Sequence, residues 1–306
     1  MTSPATPLPR SVADVEIPVA SQSKINRQNK HLKAGCADVL GVQVDALDMP
    51  KALARIHEAL TDGRKGYVCM AGAHGIMEAQ RSVGVRYAFR DSLMNLPDGM
   101  PTVWVGRSQG FTEMLRVAGP DVMLQVFSNR QFASYSHFFY GGKPGVAQEL
   151  ASEMQRRFPW ARIAGTYTPP FRDLIDEEES ELFEIVRRAK PSIIWVGISS
   201  PRQELFMRKY LPKLDTCLMF GVGAAFDFHT GRIRDCSEWI KRAGLQWLHR
   251  LVQDPRHLLW RYVRNNPAFL WQIGVRMLAA HWRSPVAKRK LHPANERSIC
   301  EGSLKS

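Results

Sequence analysis

The chain has 306 residues, 44% of them hydrophobic and 23% charged, an ordinary globular composition that excludes a wholly disordered, collagenous or disulfide-scaffold protein. That length accommodates one α/β domain of about 200 residues with tails, or two small domains. Forty-two Lys and Arg against 29 Asp and Glu leave a net charge of +13, so the expected partners are acidic: nucleic acid, an anionic membrane or phosphorylated substrates.

Residues 1–35 are rich in Pro, Ser, Asn and Lys, with no hydrophobic period, and read as a flexible leader. The start, MTSPATPLPRSV, lacks the apolar stretch of a secretory signal. From Val39 the pattern changes. VLGVQVDAL reads as a strand or hairpin edge, and Met49 to Leu60 places apolar residues at helical spacing behind Asp48, a helix cap, with Pro50 close after it. GYVCMAG reads as a short buried strand. Further strands are expected at Ser92–Leu96, Ser136–Tyr140, Ala161–Thr166, Ser192–Gly197 and Cys217–Val222, separated by helices such as Gly145–Arg157, Glu177–Ala189 and Arg202–Leu211. Buried strands alternating with helices predict an α/β fold, a largely parallel sheet with helices on both faces.

Beyond Arg232 the composition shifts. Between Trp247 and His292 nine basic residues face one acid, a local charge of +8. Five of the eight tryptophans (Trp239, Trp247, Trp260, Trp271, Trp282) lie in or beside this segment. The expected organisation is an α/β domain over 36–245, a basic helical appendage over 246–292 and a flexible tail over 293–306. Asp254-Pro255 and Asn266-Pro267 each pair a capping residue with a helix-opening proline, so the appendage is expected to form two or three short helices. The longest apolar runs, Ile193–Ile198 and Cys217–Phe226, fall short of the ~18 residues that span a bilayer. Five cysteines, an odd number without a C-x-x-C pair, fit a reducing cytosol.

Several residues are placed for chemistry. FFYGGKPG runs from strand to glycine-rich turn to helix, so Gly141 and Gly142 either cradle a phosphate or make a tight turn. Asp98 in NLPDGM stands at a strand's C-terminal edge, where open α/β sheets bind ligands; it reads as a general base or as the Asp of an Asp-Gly turn. Arg116 in RVAGPD faces either a phosphate or a nearby acid. Gln203 and Glu204, just past the strand Ile193–Gly197, either contact a ligand or cap a helix. Asp227 is an acid inside an apolar run and must be hydrogen-bonded or functional. His74 and Cys69 read as buried or site-lining residues. GVGAAF, residues 221–226, puts Phe226 where a dinucleotide fold wants a small residue, which disfavours a nicotinamide cofactor. Without D-x-D, H-E-x-x-H or clustered Cys and His, neither a dedicated metal site nor a cofactor is expected.

Taken in order, LPDGMPTVW, RVAGPDVM, FFYGGKPG, IIWVGISSPRQE, FGVGAAFDFHTG and GLQWLHRLVQDPRHLLWRY resemble the WecG/TagA/CpsF glycosyltransferases over about residues 38–265. The resemblance implies a Rossmann-like domain with a C-terminal appendage. It also implies metal-independent, inverting transfer of a sugar from a UDP-sugar to a polyprenyl-diphosphate-linked sugar at the inner face of the cytoplasmic membrane. Carried over by motif, Asp98 becomes the catalytic base and Arg116 an active-site arginine. Gln203 and Glu204 fall in the block by the nucleotide, and Asp227 matches the acid of a Phe-Asp-Phe block. Gly72, Gly141 and Gly142 fall on the donor side, and Arg250, Arg256, His257 and Arg261 on the acceptor-diphosphate and membrane side.

The chain departs from the family pattern at three places. Met70-Ala71-Gly72 stands where the family commonly has Thr-x-Asn, which shifts the expected donor toward glucose or another hexose in exopolysaccharide assembly, beside N-acetylmannosamine. His257 stands where an arginine is usual. Arg234-Asp235-Cys236 replaces an Arg-Ala-Pro block. Two other classes compete with the transferase: a nucleic-acid-binding protein using the basic tail, with tryptophans to stack bases, and a nicotinamide-dependent enzyme. No nucleic acid is expected if the transferase reading holds, and the oligomeric state, monomer or homo-oligomer, stays open.

Overall fold

The structure, a computed structural model, describes residues 35–287; the leader (1–35, apart from Gly35) and the tail (293–306) expected from the sequence lie outside the described residues, as do 288–292 of the appendage. A hairpin comes first, β1 (Cys36–Val39) against β2 (Val42–Asp45). Asp38 accepts from the Gly41 amide across its turn at 2.9 Å. The buried Asp45 accepts from the Asn95 amide at 2.8 Å and pairs with Arg55 at 2.8 Å, which locks the hairpin to the main sheet. Helix α1 (Met49–Thr61) opens as expected, with Asp48 accepting from the Lys51 amide at 2.9 Å, a cap of roughly 1 kcal/mol.

The strands β3 (Gly66–Met70), β4 (Met94–Leu96), β5 (Ser136–Gly141), β6 (Arg162–Tyr167), β7 (Ile193–Gly197) and β8 (Leu218–Gly221) form a parallel sheet in the order β4-β3-β8-β7-β5-β6. β4 starts two residues later than expected because the Ser92 hydroxyl turns back to bond the Phe89 carbonyl at 2.7 Å. Alternate side chains feed two cores. Val68, Phe139, Trp195 and Phe220 pack beneath α1, α5 (Gly119–Ser128) and α6 (Val146–Arg157). Tyr67, Phe138, Ile194 and Met219 pack beneath α2 (Ala73–Arg81), α3 (Val83–Asp91), α7 (Asp176–Ala189) and α8 (Arg202–Tyr210). Each such side chain contributes roughly 1.5–3 kcal/mol on burial. Burial on both faces is why these strands read as unbroken apolar runs.

From β3 the chain steps out to β4 and through α4 (Met100–Ser108), then crosses to β5 on the other side and returns through β7 to β8, which closes against β3. The connections therefore part around β3 and β8, which opens a crevice at their C-terminal ends.

After β8 come α9 (Ala225–His229), α10 (Glu238–Arg242), α11 (Gln246–Gln253) and α12 (Pro255–Ala287). The appendage is helical, but not in short pieces throughout: α12 opens after Asp254 as expected and then runs straight through Pro267. An internal proline removes a hydrogen bond at a cost of ~3 kcal/mol. Anchors on both sides offset it here, with Asn265 and Phe269 both buried against the body of the protein. Among the described residues no helix is long and apolar enough to cross a membrane.

Candidate active site

The crevice is a cleft of about 400 Å³ floored by the ends of β3, β4, β7 and β8 and walled by α11 and α12. Asp98 enters it from the β4–α4 loop. That loop is fixed by the Pro97 carbonyl, which accepts from the Val117 amide at 2.8 Å. Gly99 takes φ 107° at the bend that opens α4, and that bend presents the carboxylate. Gly72 packs on the same loop: a Cβ there would sit 2.9 Å from the Asp98 carbonyl oxygen. Among the described residues the Asp98 carboxylate has no hydrogen-bond partner. Burial pushes its pKa above the ordinary carboxylate value, the guanidinium groups of Arg116 and Arg250 pull it part of the way back, and Asp121 adds to the rise.

Three arginines share a feature that bland packing does not explain. Arg116 donates to Asp121 at 2.8 Å and to Gln246 of α11 at 2.9 Å, yet its buried Nε has no partner. The buried Nε atoms of Arg250 and Arg261 are likewise unpartnered, and their guanidinium groups lie 5.6 Å and 5.3 Å from the rings of Phe228 and Tyr262. A buried donor left unsatisfied costs about 1–3 kcal/mol. A cleft that collects three of them is built for acceptor oxygens, and phosphate and carboxylate are the groups that suit a guanidinium.

The remaining sequence-derived residues divide. Gln203 lines the cleft, but its amide is occupied: Nε2 donates to the Gly221 carbonyl at 2.9 Å and to Glu204 at 3.2 Å, while Oε1 accepts from the Gly223 amide at 3.0 Å. It clasps the turn after β8. Glu204 is fully buried beneath that turn, with its pKa pushed up to about 7 by burial. Asp227, on α9, lies beside the cleft with its carboxyl raised by burial and moderated by Lys143, Arg232 and Arg250. Gly141 and Gly142 stand at the end of β5, one strand beyond β7: a Cβ on Gly141 would meet the Gly197 carbonyl at 2.5 Å, and the Gly142 amide donates to that carbonyl at 3.0 Å. Backbone closeness requires the glycine at 141, and a positive φ of 76° favours it at 142. Arg256 is exposed outside the cleft, and the side chain of His257 lies outside the described residues. Cys69 is buried in the core, whereas His74 lines the cleft.

Sequence reasoning passed over Ser200, Gln246 and Asn265. Ser200 brings a buried hydroxyl to the cleft beside the Glu204 carboxyl, whose pKa it works to lower. Gln246 ties α11 to Arg116. Asn265 is buried within α12, and an Asn before Asn266-Pro267 in a helix carried the only hint.

Fold and cleft together define an α/β enzyme with a strand-end site. A sequence model of the Glycosyl transferase WecG/TagA/CpsF family matches residues 37–283, and the chain belongs to that family of glycosyltransferases. It is 24% identical over 231 residues to a protein of Bacillus spizizenii (strain ATCC 23059 / NRRL B-14472 / W23) named N-acetylglucosaminyldiphosphoundecaprenol N-acetyl-beta-D-mannosaminyltransferase, covering 74% of this chain and 87% of that one. A protein of the same name from Bacillus subtilis (strain 168) is 27% identical over 169 residues, covering 55% of this chain and 62% of its own length. The nucleic-acid and nicotinamide readings give way to the family.

Proposed function

We propose that the protein is an inverting glycosyltransferase that moves a hexose, of the glucose or N-acetylmannosamine type, from a UDP-sugar to a polyprenyl-diphosphate-linked sugar in surface or exopolysaccharide assembly. The observation that carries the reading is the free, raised-pKa carboxylate of Asp98 sharing one cleft with the unpartnered Nε atoms of Arg116, Arg250 and Arg261. The relatives' names carry the lipid-diphosphate acceptor.

In this reading the acceptor hydroxyl oxygen attacks the anomeric carbon while its proton passes to Asp98. The bond from that carbon to the diphosphate oxygen breaks, its electron pair leaves with UDP, and guanidinium groups meet the developing charge where a metal would otherwise do so. Arg116 serves the reacting centre, and Arg250 and Arg261 grip the acceptor diphosphate. Gln203 and Glu204 hold the turn bordering the donor, with Gly72, Gly141, Gly142 and Asp227 around it. Residues 36–245 supply the transferase domain. The appendage, 246–292, is the part that meets an anionic membrane from its cytoplasmic side, through Arg256, His257 and tryptophans such as Trp260 and Trp271, which are 73% and 74% exposed.

The test is UDP release from a panel of UDP-sugars with a short-chain polyprenyl-diphosphate N-acetylglucosamine, with and without EDTA. Release with one hexose donor, dependent on the lipid acceptor and indifferent to EDTA, is the expected result. Release with no donor overturns the reading, and complete loss on chelation overturns its metal-independent chemistry.

A further inference from the structure

His74, the second residue of α2, uses both ring nitrogens. Nε2 lies 3.2 Å from the Ser200 carbonyl on the β7–α8 loop, and Nδ1 lies 2.9 Å from the Asn265 amide nitrogen on α12. A carbonyl only accepts, so Nε2 carries the proton and Nδ1 presents a lone pair. Asn265 enforces this: its amide nitrogen also donates to the Arg261 carbonyl at 2.8 Å, while its oxygen accepts from Arg81 at 2.6 Å. Turning the amide over would set its NH₂ against the guanidinium and its oxygen against the carbonyl. One neutral imidazole therefore joins α2, the loop that leads to Gln203 and the helical turn that carries Arg261.

We propose that His74 and Asn265 are positioning residues that hold α12, and with it Arg261, over the cleft, and that proton uptake by His74 releases this clasp. A proton on Nδ1 would point at the Asn265 NH₂, two donors face to face in a part-buried site. The charged groups around the ring are Glu78, whose Oε1 is 4.0 Å from Nδ1, and Arg81 on its own helix, with Arg261 on α12. Burial comes first and Arg261 second in holding the His74 pKa below its ordinary value; the Ser200 carbonyl and Glu78 act the other way. The closed form thus binds fewer protons than an open form with an ordinary imidazole of about 6.5. Closure is complete above that pH and weakens as pH falls through the window down to the lowered value.

The clasp is independent of what the cleft binds; only its effect on the acceptor rests on the proposed function. Hydrogen exchange of the amides of 258–270 in the substrate-free full-length protein, corrected for intrinsic rates, reads it directly. Between pH 7.5 and 5.5 the wild type should lose about tenfold protection, the effect of one buried hydrogen bond unmade. His74→Gln should exchange fast at both values, and Asn265→Asp, which sets a carboxylate opposite the ring, should reverse the step. A wild type equally protected at both values, or an unchanged step in His74→Gln, overturns the proposal. In the transfer assay His74→Gln should raise the acceptor KM about tenfold while kcat holds; a fall in kcat with acceptor KM unchanged overturns the positioning role. If no donor or acceptor is turned over at all, the function reading fails while the exchange result still decides the clasp.

Discussion

The sheet and the tail are held by different forces. In β3, β5, β7 and β8 nearly every side chain is buried, and Phe138, Phe139, Trp195 and Phe220 have no exposed surface. In α10 to α12 the apolar side chains mostly face outward, Trp239, Val252, Trp260 and Trp271 among them, and among the described residues only Leu258, Tyr262 and Phe269 are buried apolar side chains. What joins the tail to the body is mixed: Phe269, with Ala268 and Ile273 beside it, packs into the core under α2, and polar ties run from Arg116 to Gln246, from Asn265 to His74 and Arg81, and from Arg276 to Asp38 at 3.3 Å. Burial dominates throughout the sheet, whereas in the tail a few buried apolar anchors share the attachment with polar ties that a proton or a competing anion can alter. The two regions then contribute unlike parts to one site, a fixed carboxylate from the sheet and adjustable cations from the tail.

The largest expected effect tests the sheet's part. Asp98→Asn should cut turnover by about 10² to 10⁴-fold, the usual loss for a general base, with donor binding retained. Because the Asp98 pKa is raised, the wild-type rate should fall with acid through a pKa above the ordinary ~3.9, and that limb should be missing from the variant. Near-normal turnover in Asp98→Asn would assign the base elsewhere. The next effect tests the tail's part. Arg250→Ala and Arg261→Ala should each weaken the lipid acceptor by roughly 10- to 100-fold, the worth of a charge-assisted hydrogen bond, in titrations that leave UDP affinity unchanged. Equal losses for UDP and acceptor would dissolve the division between the regions. The smallest effect concerns the body of the protein alone. Glu204 has a folded-state pKa of about 7, raised by burial, so the native state holds a proton that the unfolded chain releases near its ordinary ~4.3. Stability from this group is complete below the unfolded value and is lost as pH rises through about 7. Glu204→Gln should therefore raise Tm at pH 8 and leave it unchanged at pH 4, as followed by circular dichroism.

Legibility in the sequence tracks the same divide. GYVCMAG and SIIWVG are apolar runs bounded by turn residues, so their strands could be read almost to the residue. Asp48 announced its helix because a cap is a local interaction. Pro267 misled because the contacts that override it, made by Asn265 and Phe269, come from residues far off in sequence. Asp98 was legible as a strand-end carboxylate, while its missing hydrogen-bond partner was not, since that depends on loops arriving from four strands. The glycines at 141 and 142 were read as a phosphate cradle or a tight turn; that the Gly197 carbonyl crowds Gly141 was not legible, because it comes from a neighbouring strand. His74 was visible as a residue near the site, but its partner sits 191 positions away.

Gly72 bears on how this chain can change over time. Its α-carbon rests so close to the Asp98 carbonyl that any side chain at 72 must move the loop holding the carboxylate. An asparagine at that position would fit only by displacing the loop that carries the acid, so the two positions are tied. A variant with a side chain at 72 therefore needs a compensating change in the loop after β4, and one substitution alone moves the carboxylate with it.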